Sequence, residues 1–197
     1  VEIHTGEAVT ADQLRNMDAD VIIVAAGSAP VMPKVPGIDD KKVIGCMEAF
    51  AYPEKVGQKV MVIGGGLVGC EMALEYAQDG KEVTVVEALP KILSAGIPSP
   101  IPNGQMIPDL FEHHHVAVLE NHRLSAVEDG RVILESDGQK KAFDADSVVI
   151  AVGCRPVPSM AQELQGCGAA VYEIGDGQKV STILHAVWDG YEVGNNI

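Results

Sequence analysis

The residues most able to do chemistry here are a glycine cluster and the acid that follows it. Gly64, Gly65, Gly66, Leu67, Val68 and Gly69 form a GxGxxG loop between an apolar strand, Lys59-Val-Met-Val-Ile63, and a helix opening Cys70-Glu-Met-Ala. Gly64 permits a tight turn off the strand, and Gly66 puts no side chain between the backbone and a pyrophosphate. Gly69 lets the helix pack close to the sheet, while unbonded N–H groups at the helix start face the phosphates. A second strand, Glu82-Val-Thr-Val-Val86, closes on Glu87. That carboxylate is positioned to accept hydrogen bonds from the hydroxyls of an adenosine ribose and to repel a 2′-phosphate. The spacing therefore predicts a dinucleotide site that takes NAD(H) in preference to NADP(H).

Other candidates weigh less. His113, His114 and His115 are consecutive, and adjacent helical residues point about 100° apart, so the three cannot converge on one ion. They read as a solvated helix end near a negative dipole, and no metal is expected. Cys46, Cys70, Cys154 and Cys167 are scattered without a CxxC spacing, which encodes neither a zinc site nor a redox dithiol. Cys70, inside the helix after the loop, reads as a small core residue. Gly175-Asp176 ends a strand, as an ordinary turn also does. Glu71 and Glu75, four apart on one helix, read by themselves as a solvated face. No residue is assigned a catalytic role.

Elements that must hold these groups are read from periodicity. Val1 to Thr5 reads as a short strand, and Asp20-Val-Ile-Ile-Val-Ala-Ala-Gly27 as a buried strand ending in a turn. Residues 28–40, with Pro30, Pro33, Pro36 and Gly37, read as a connector. The helix after the glycine loop should stop at Gly80. Ala88 to Pro108 is rich in Pro, Gly and Ser and long for a plain connection, so part of a helix or a mobile loop is expected there. Asp109 to His115 reads as helix and Val116 to Glu120 as strand. The period then changes to two: Leu124 to Glu128, Asp129-Gly130, Arg131 to Ser136, Asp137-Gly138, and Lys140 to Phe143 make a three-strand antiparallel meander. Ser147 to Gly153 returns to the buried parallel type, Val171 to Asp176 is a further strand, and Ile183 to Ile197 a closing helix.

The chain has 197 residues, enough for one large or two small domains, with 47% hydrophobic residues, 4% aromatic and a formal charge of −14. Many Gly, Val, Ile and Ala suit a parallel sheet wrapped by close-packed helices. The acidic balance argues against nucleic acid and an anionic membrane surface as partners, and no run reaches the roughly 20 apolar residues of a membrane span. A cytoplasmic location is expected, without a signal peptide. The chain begins at Val1, partway through a strand pattern, and is expected to be a piece of something larger.

Three landmarks in one order resemble the two-dinucleotide-binding-domain flavoproteins, the pyridine nucleotide-disulphide oxidoreductase-like superfamily. They are Ala25-Ala-Gly27-Ser-Ala-Pro30 after a buried strand, the GGGLVGCEMA loop and helix, and Ala151-Val-Gly153-Cys-Arg-Pro156 followed by Glu173-Ile-Gly-Asp176. The tail, with His185-Ala-Val-Trp-Asp-Gly-Tyr191, resembles the C-terminal region of old-yellow-enzyme-like NADH:flavin oxidoreductases, which include 2-enoate and 2,4-dienoyl-CoA reductases.

The resemblance implies an NAD domain inserted into a discontinuous FAD domain. The fold expected is α/β, a Rossmann-like parallel sheet with an antiparallel three-strand meander. It is flanked by parts of an FAD-binding domain: residues 1–45 a remnant with connector, 46–155 the NAD(H)-binding domain, and 156–197 the returning segment. NADH would pass hydride to FAD, and in the full-length enzyme electrons would continue through an iron–sulfur cluster to FMN in upstream domains, reducing an activated alkene. By resemblance, Gly64, Gly65, Gly66, Leu67, Val68 and Gly69 hold NAD, Glu87 the ribose, and Gly153 lies beside the bound NAD at the second crossing. Ala26 and Gly27 approach FAD, Ala26 standing where the family usually has Thr. Asp176, with Gly175, contacts the flavin's ribityl or pyrophosphate region, and Glu71 lies near the nicotinamide. The family's own FAD-binding GxGxxG does not occur in this chain, nor do cluster cysteines or a barrel, so the chain alone is not expected to be active. The partners implied are NADH and upstream domains of the same polypeptide. Alternatives are an NADH oxidase or disulfide reductase of the same superfamily, and a non-catalytic NAD-sensing Rossmann module.

Overall fold

Five short apolar runs build the central sheet, and their alternation explains why each reads as continuously hydrophobic. The computed structural model describes residues 1–96 and 101–197. Strands β1 (Val21–Val24), β2 (Ser28–Pro30) and β3 (Val43–Gly45) follow a short helix α1 (Ala11–Arg15). Helix α2 (Cys46–Ala51), β4 (Lys59–Ile63), α3 (Leu67–Gln78) and β5 (Glu82–Val86) come next. Then follow α4 (Ile101–His113), β6 (Ala117–Leu119), β7 (Arg123–Glu128), β8 (Arg131–Ser136), β9 (Gln139–Asp144) and β10 (Ser147–Ile150). The chain closes with β11 (Cys154–Pro156), β12 (Ala170–Glu173) and α5 (Ile183–Asn196).

The larger of two compact units spans residues 30–153. Its sheet is parallel throughout in the order β3-β10-β4-β5-β6. Val60, Val62, Val83, Val85 and Val149 face one core with Cys70, Ala73 and Tyr76 of α3 and Ile107 and Phe111 of α4. Their neighbours Met61, Ile63, Val86, Val148 and Ile150 face a second core with Leu124, Val127, Val132 and Leu134 of the meander. A sheet covered on both faces needs apolar residues at every position, which is the parallel-strand signature. Asp129-Gly130 and Asp137-Gly138 turn the meander with φ of 50° and 72°, then 50° and 74°, the left-handed pair that two-residue hairpins require. The α/β fold expected from the sequence is what the structure has.

Helix α3 ends at the expected place by the expected means. Gly80 N–H donates to Ala77 O at 3.0 Å and Lys81 N–H to Tyr76 O at 3.0 Å, the paired bonds of a Schellman stop.

The smaller unit comprises residues 1–29 and 154–197. β1 pairs in parallel with β12, and β2 is the neighbour of β11. Ile22, Val24, Ala11 and Leu164 form its core. Helix α5 has no buried residue and exposes Ile183, Leu184, Val187, Trp188 and Tyr191.

Several expectations are corrected. Val1 to Thr5 is not a strand: these residues are exposed and pair with nothing in a sheet. Residues 28–40 are not solely connector, because Ser28–Pro30 forms β2. The two compact units divide at 29/30 and 153/154, and the pairing of β3 with β10 ties residues 43–45 to the larger sheet. The part-helix expected within Ala88 to Pro108 is present as α4, which begins at Ile101 and carries Pro108 internally, while residues 97–100 lie outside the described residues.

Candidate dinucleotide site

Gly64 to Gly69 sit where β4 leaves the sheet and α3 begins, at the carboxyl end of the parallel strands, where open α/β sheets bind ligands. Each glycine answers to a different neighbour. Gly64 has φ of +112°, and a Cβ there would lie 2.3 Å from the Ala151 carbonyl oxygen. A Cβ on Gly69 would lie 2.0 Å from Gly64 O, so α3 rests directly against the turn. A Cβ on Gly65 would meet Ile92 Cγ2 at 2.8 Å and Glu87 Cβ at 3.0 Å. A Cβ on Gly66 would meet nothing within 4 Å. The loop is thus packed from beneath and behind, and bare on the side of Gly66.

Gly66 is the N-cap of α3, and no side chain caps the helix. The first-turn amides of a helix have no intrahelical carbonyl to bond, and with the helix dipole they favour an anion. Glu87 is 7% exposed. Its Oε2 accepts the Gly65 N–H at 2.7 Å and its Oε1 the Leu89 N–H at 2.7 Å. Two backbone donors therefore hold the carboxylate against the loop, and each oxygen keeps a second lone pair for a hydroxyl. Leu93 N–H donates to Gly65 O at 2.7 Å and Ile92 N–H to Glu120 Oε1 at 3.0 Å, which seats the 88–93 loop under the glycines. Cys70 Sγ–H also donates to Gly65 O at 3.4 Å. Burial first, then the charges of Glu87 and Glu71, push its thiol up to about 12, so it stays protonated and inert at neutral pH.

Around this loop Leu67 is half-buried against the α3 core, and Val68 and Glu71 are exposed. Gly153, exposed, follows Ala151, whose carbonyl Gly64 abuts. The remaining expected residues lie in the smaller unit. There Asp176 Oδ2 accepts from Ser28 Oγ–H at 3.0 Å and Oδ1 from Ser181 N–H at 3.0 Å. Gly175 N–H donates to Asp189 Oδ2 at 3.0 Å. A Cβ on Gly177 would lie 3.5 Å from Gly27 N and 3.6 Å from Ala26 N, so the turn at 26–28 and the turn at 175–177 meet. Glu173 Oε1 is buried there without a hydrogen-bond partner. Among the described residues no group of three or more His, Cys, Asp or Glu is placed to hold a metal ion.

Ile92, Leu93 and Glu120 were not singled out by the sequence, and Ser28, Ala151 and Glu173 stood inside landmark motifs without a role of their own. Ile92 and Leu93 lie in a stretch without periodicity. Ser28, Ala151 and Glu173 each carried a usable signal, their place beside a turn already marked.

The profile of the pyridine nucleotide-disulphide oxidoreductase family matches residues 1–186. The chain belongs to this family. Among relatives in it, a cinnamate reductase of Clostridium sporogenes is 36% identical over 197 residues, covering 100% of this chain and 29% of that protein. An NADH oxidase of Thermoanaerobacter brockii is 31% identical over 198 residues, covering 98% of this chain and 30% of that protein. A solved 2-naphthoyl-CoA reductase in complex with 2-naphthoyl-CoA superposes with a TM-score of 0.83 at 31% identity, covering 96% of this chain and 28% of that one. The pyridine nucleotide-disulphide oxidoreductase chain described here thus spans under a third of the length of each of these proteins. Among the described residues no helix is long and apolar enough to cross a membrane.

Proposed function

We infer that this chain is the NAD(H)-binding portion of an FAD-dependent oxidoreductase in which NADH reduces a flavin and the full-length enzyme reduces an activated alkene of the enoate or enoyl type. The observation carrying the NAD(H) reading is the contrast at the loop: Gly66 is open while Glu87 is fastened to Gly65 beside it. The amides at the start of α3 seat the pyrophosphate, and the free lone pairs of Glu87 accept the adenosine ribose hydroxyls. Val68 and Gly153 border the loop at its exposed side and Glu71 lies one turn into the helix; these line the path of the nicotinamide half. NADH supplies a hydride when bound.

The smaller unit is assigned to the FAD-binding domain. Its fit rests on Glu173 Oε1, a buried acceptor without a donor, and on Asp176, each of whose oxygens keeps a lone pair for a hydroxyl-bearing ligand. Gly27, Ala26 and Gly175 form the turns around it. FMN and an iron–sulfur cluster are assigned to upstream domains and to no residue here, and the setting is cytoplasmic. The alkene-reducing branch is supported by the similarity to a cinnamate reductase and a 2-naphthoyl-CoA reductase. The similarity to an NADH oxidase supports the alternative, in which the same flavin reduces dioxygen.

Titration of the chain with NADH and NADPH, followed by nicotinamide fluorescence, tests the reading. NADH should bind more tightly. Equal or tighter binding of NADPH removes the role given to Glu87. Full-length protein assayed anaerobically with NADH and either cinnamate or dioxygen separates the two branches.

A further inference from the structure

Beside Glu87, at the carboxyl ends of β5 and β6, the larger unit has a cavity of about 260 Å3 that the glycine loop does not account for. It is lined by Ala88, Asn121, Arg123, Glu135 and the turn through Asp137. Ala88 follows Glu87 directly, and Asn121 N–H donates to Leu89 O at 3.1 Å, so the cavity shares its wall with the backbone that Glu87 holds. Its volume falls below the roughly 300–1,000 Å3 of drug-sized pockets, which suits one end of a long ligand rather than the whole.

Its charges are arranged in a row. Arg123 stands opposite Glu135 on the β7–β8 ladder, and Glu135 stands opposite Lys140 on the β8–β9 ladder. Arg123 Nη2 bonds Glu135 Oε1 at 2.7 Å, with the Glu135 side chain only 20% exposed. Arg123, the cation lining the cavity, is thereby neutralised, while Asp137 adds negative charge at the rim.

We propose that Glu135 is a specificity-determining residue: by holding Arg123 in an ion pair it denies a 2′-phosphate the cation it needs, so that the cavity takes an adenosine with a free 2′-hydroxyl. This rests on the NAD(H) reading, with pyrophosphate at Gly66 and ribose at Glu87. An arginine fork binds phosphate bidentately when it is free. With Nη2 bonded to Glu135, the forks that use Nη2 are occupied and the charge of the guanidinium is offset. Glu87 repels the phosphate directly, and Glu135 acts through Arg123; the two are separable by mutation.

The experiment measures the ratio of NADPH to NADH dissociation constants for the full chain and three variants. Glu135→Gln should lower the ratio about five- to tenfold, a shift that shrinks at high salt. Glu135→Gln with Arg123→Ala should restore the wild-type ratio, because the gain needs the freed guanidinium. Arg123→Ala alone should raise the ratio, leaving Glu135 uncompensated; this arm decides the matter even where Glu135→Gln does not fold. NADH binding with ratios that stay within twofold in every variant overturns the proposal and leaves the NAD(H) reading intact. Failure of the wild-type chain to bind either nucleotide overturns both.

Discussion

Two alanines, placed three residues apart on the same loop, should fail in opposite ways. In Gly69→Ala the new Cβ falls 2.0 Å from Gly64 O and 3.3 Å from the Ala151 Cβ. An ordinary carbon–oxygen approach is about 3.3 Å, so α3 and the turn must part by more than 1 Å. Overpacking of this kind costs about 1–3 kcal/mol, which lowers Tm by roughly 3–9 °C in a unit of this size. In Gly66→Ala the backbone already has φ of −72°, ordinary for any residue, and the methyl meets nothing within 4 Å. Its effect on folding is confined to a poorer N-cap, about 1 kcal/mol or less. Binding is another matter, since the methyl stands where the pyrophosphate must approach the helix amides. Loss of two charge-assisted bonds, about 3 kcal/mol, weakens NADH binding on the order of 100-fold. Thermal melts and NADH fluorescence titrations of both variants read the two effects separately. Wild-type affinity in Gly66→Ala would refute a pyrophosphate seat at the bare amides. Wild-type stability in Gly69→Ala would refute the close packing of α3 on the turn.

Other outcomes follow from the same neighbourhood. Glu87→Gln must turn its NH2 toward either Gly65 N–H or Leu89 N–H and leave that buried donor unpaired; urea unfolding should show a loss of about 1–3 kcal/mol, and no loss would mean that the carboxylate does not fasten the loop. Tyr76 has a buried hydroxyl without a partner, so Tyr76→Phe should leave stability unchanged or raise it by about 1 kcal/mol; a clear drop would reveal a bond to that oxygen. The Cys70 thiol, raised from 9.0 to about 12, should resist iodoacetamide at pH 8 until the chain is unfolded. Because the native state keeps this proton longer than the unfolded chain, its contribution is complete below pH 9 and is lost as pH rises toward 12. A pH titration of stability that stays flat across that window counts against a buried thiol.

Legibility followed the range of the interactions. The β4–α3–β5 unit and both Asp-Gly turns were readable because period, glycine loop and turn chemistry are encoded within a few neighbouring residues. β3 was not, since three residues show no period and Val43–Gly45 becomes a strand only by pairing with β10, a hundred residues on. Val1 and Ile3 alternate as a strand would, yet alternation without a partner strand leaves them exposed. In the candidate site, Glu87 was singled out by its place at the end of β5. Its grip on Gly65 was not, because that bond depends on how two strand ends lie side by side. The support from Ile92 and Glu120 is equally long-range and leaves no local mark.

Where the larger unit begins and ends, Val31 N–H donates to Gly153 O at 2.9 Å. The two ends of this unit are therefore clasped side by side. Ends held this close suit the grafting of residues 30–153 into a host loop by two short splices.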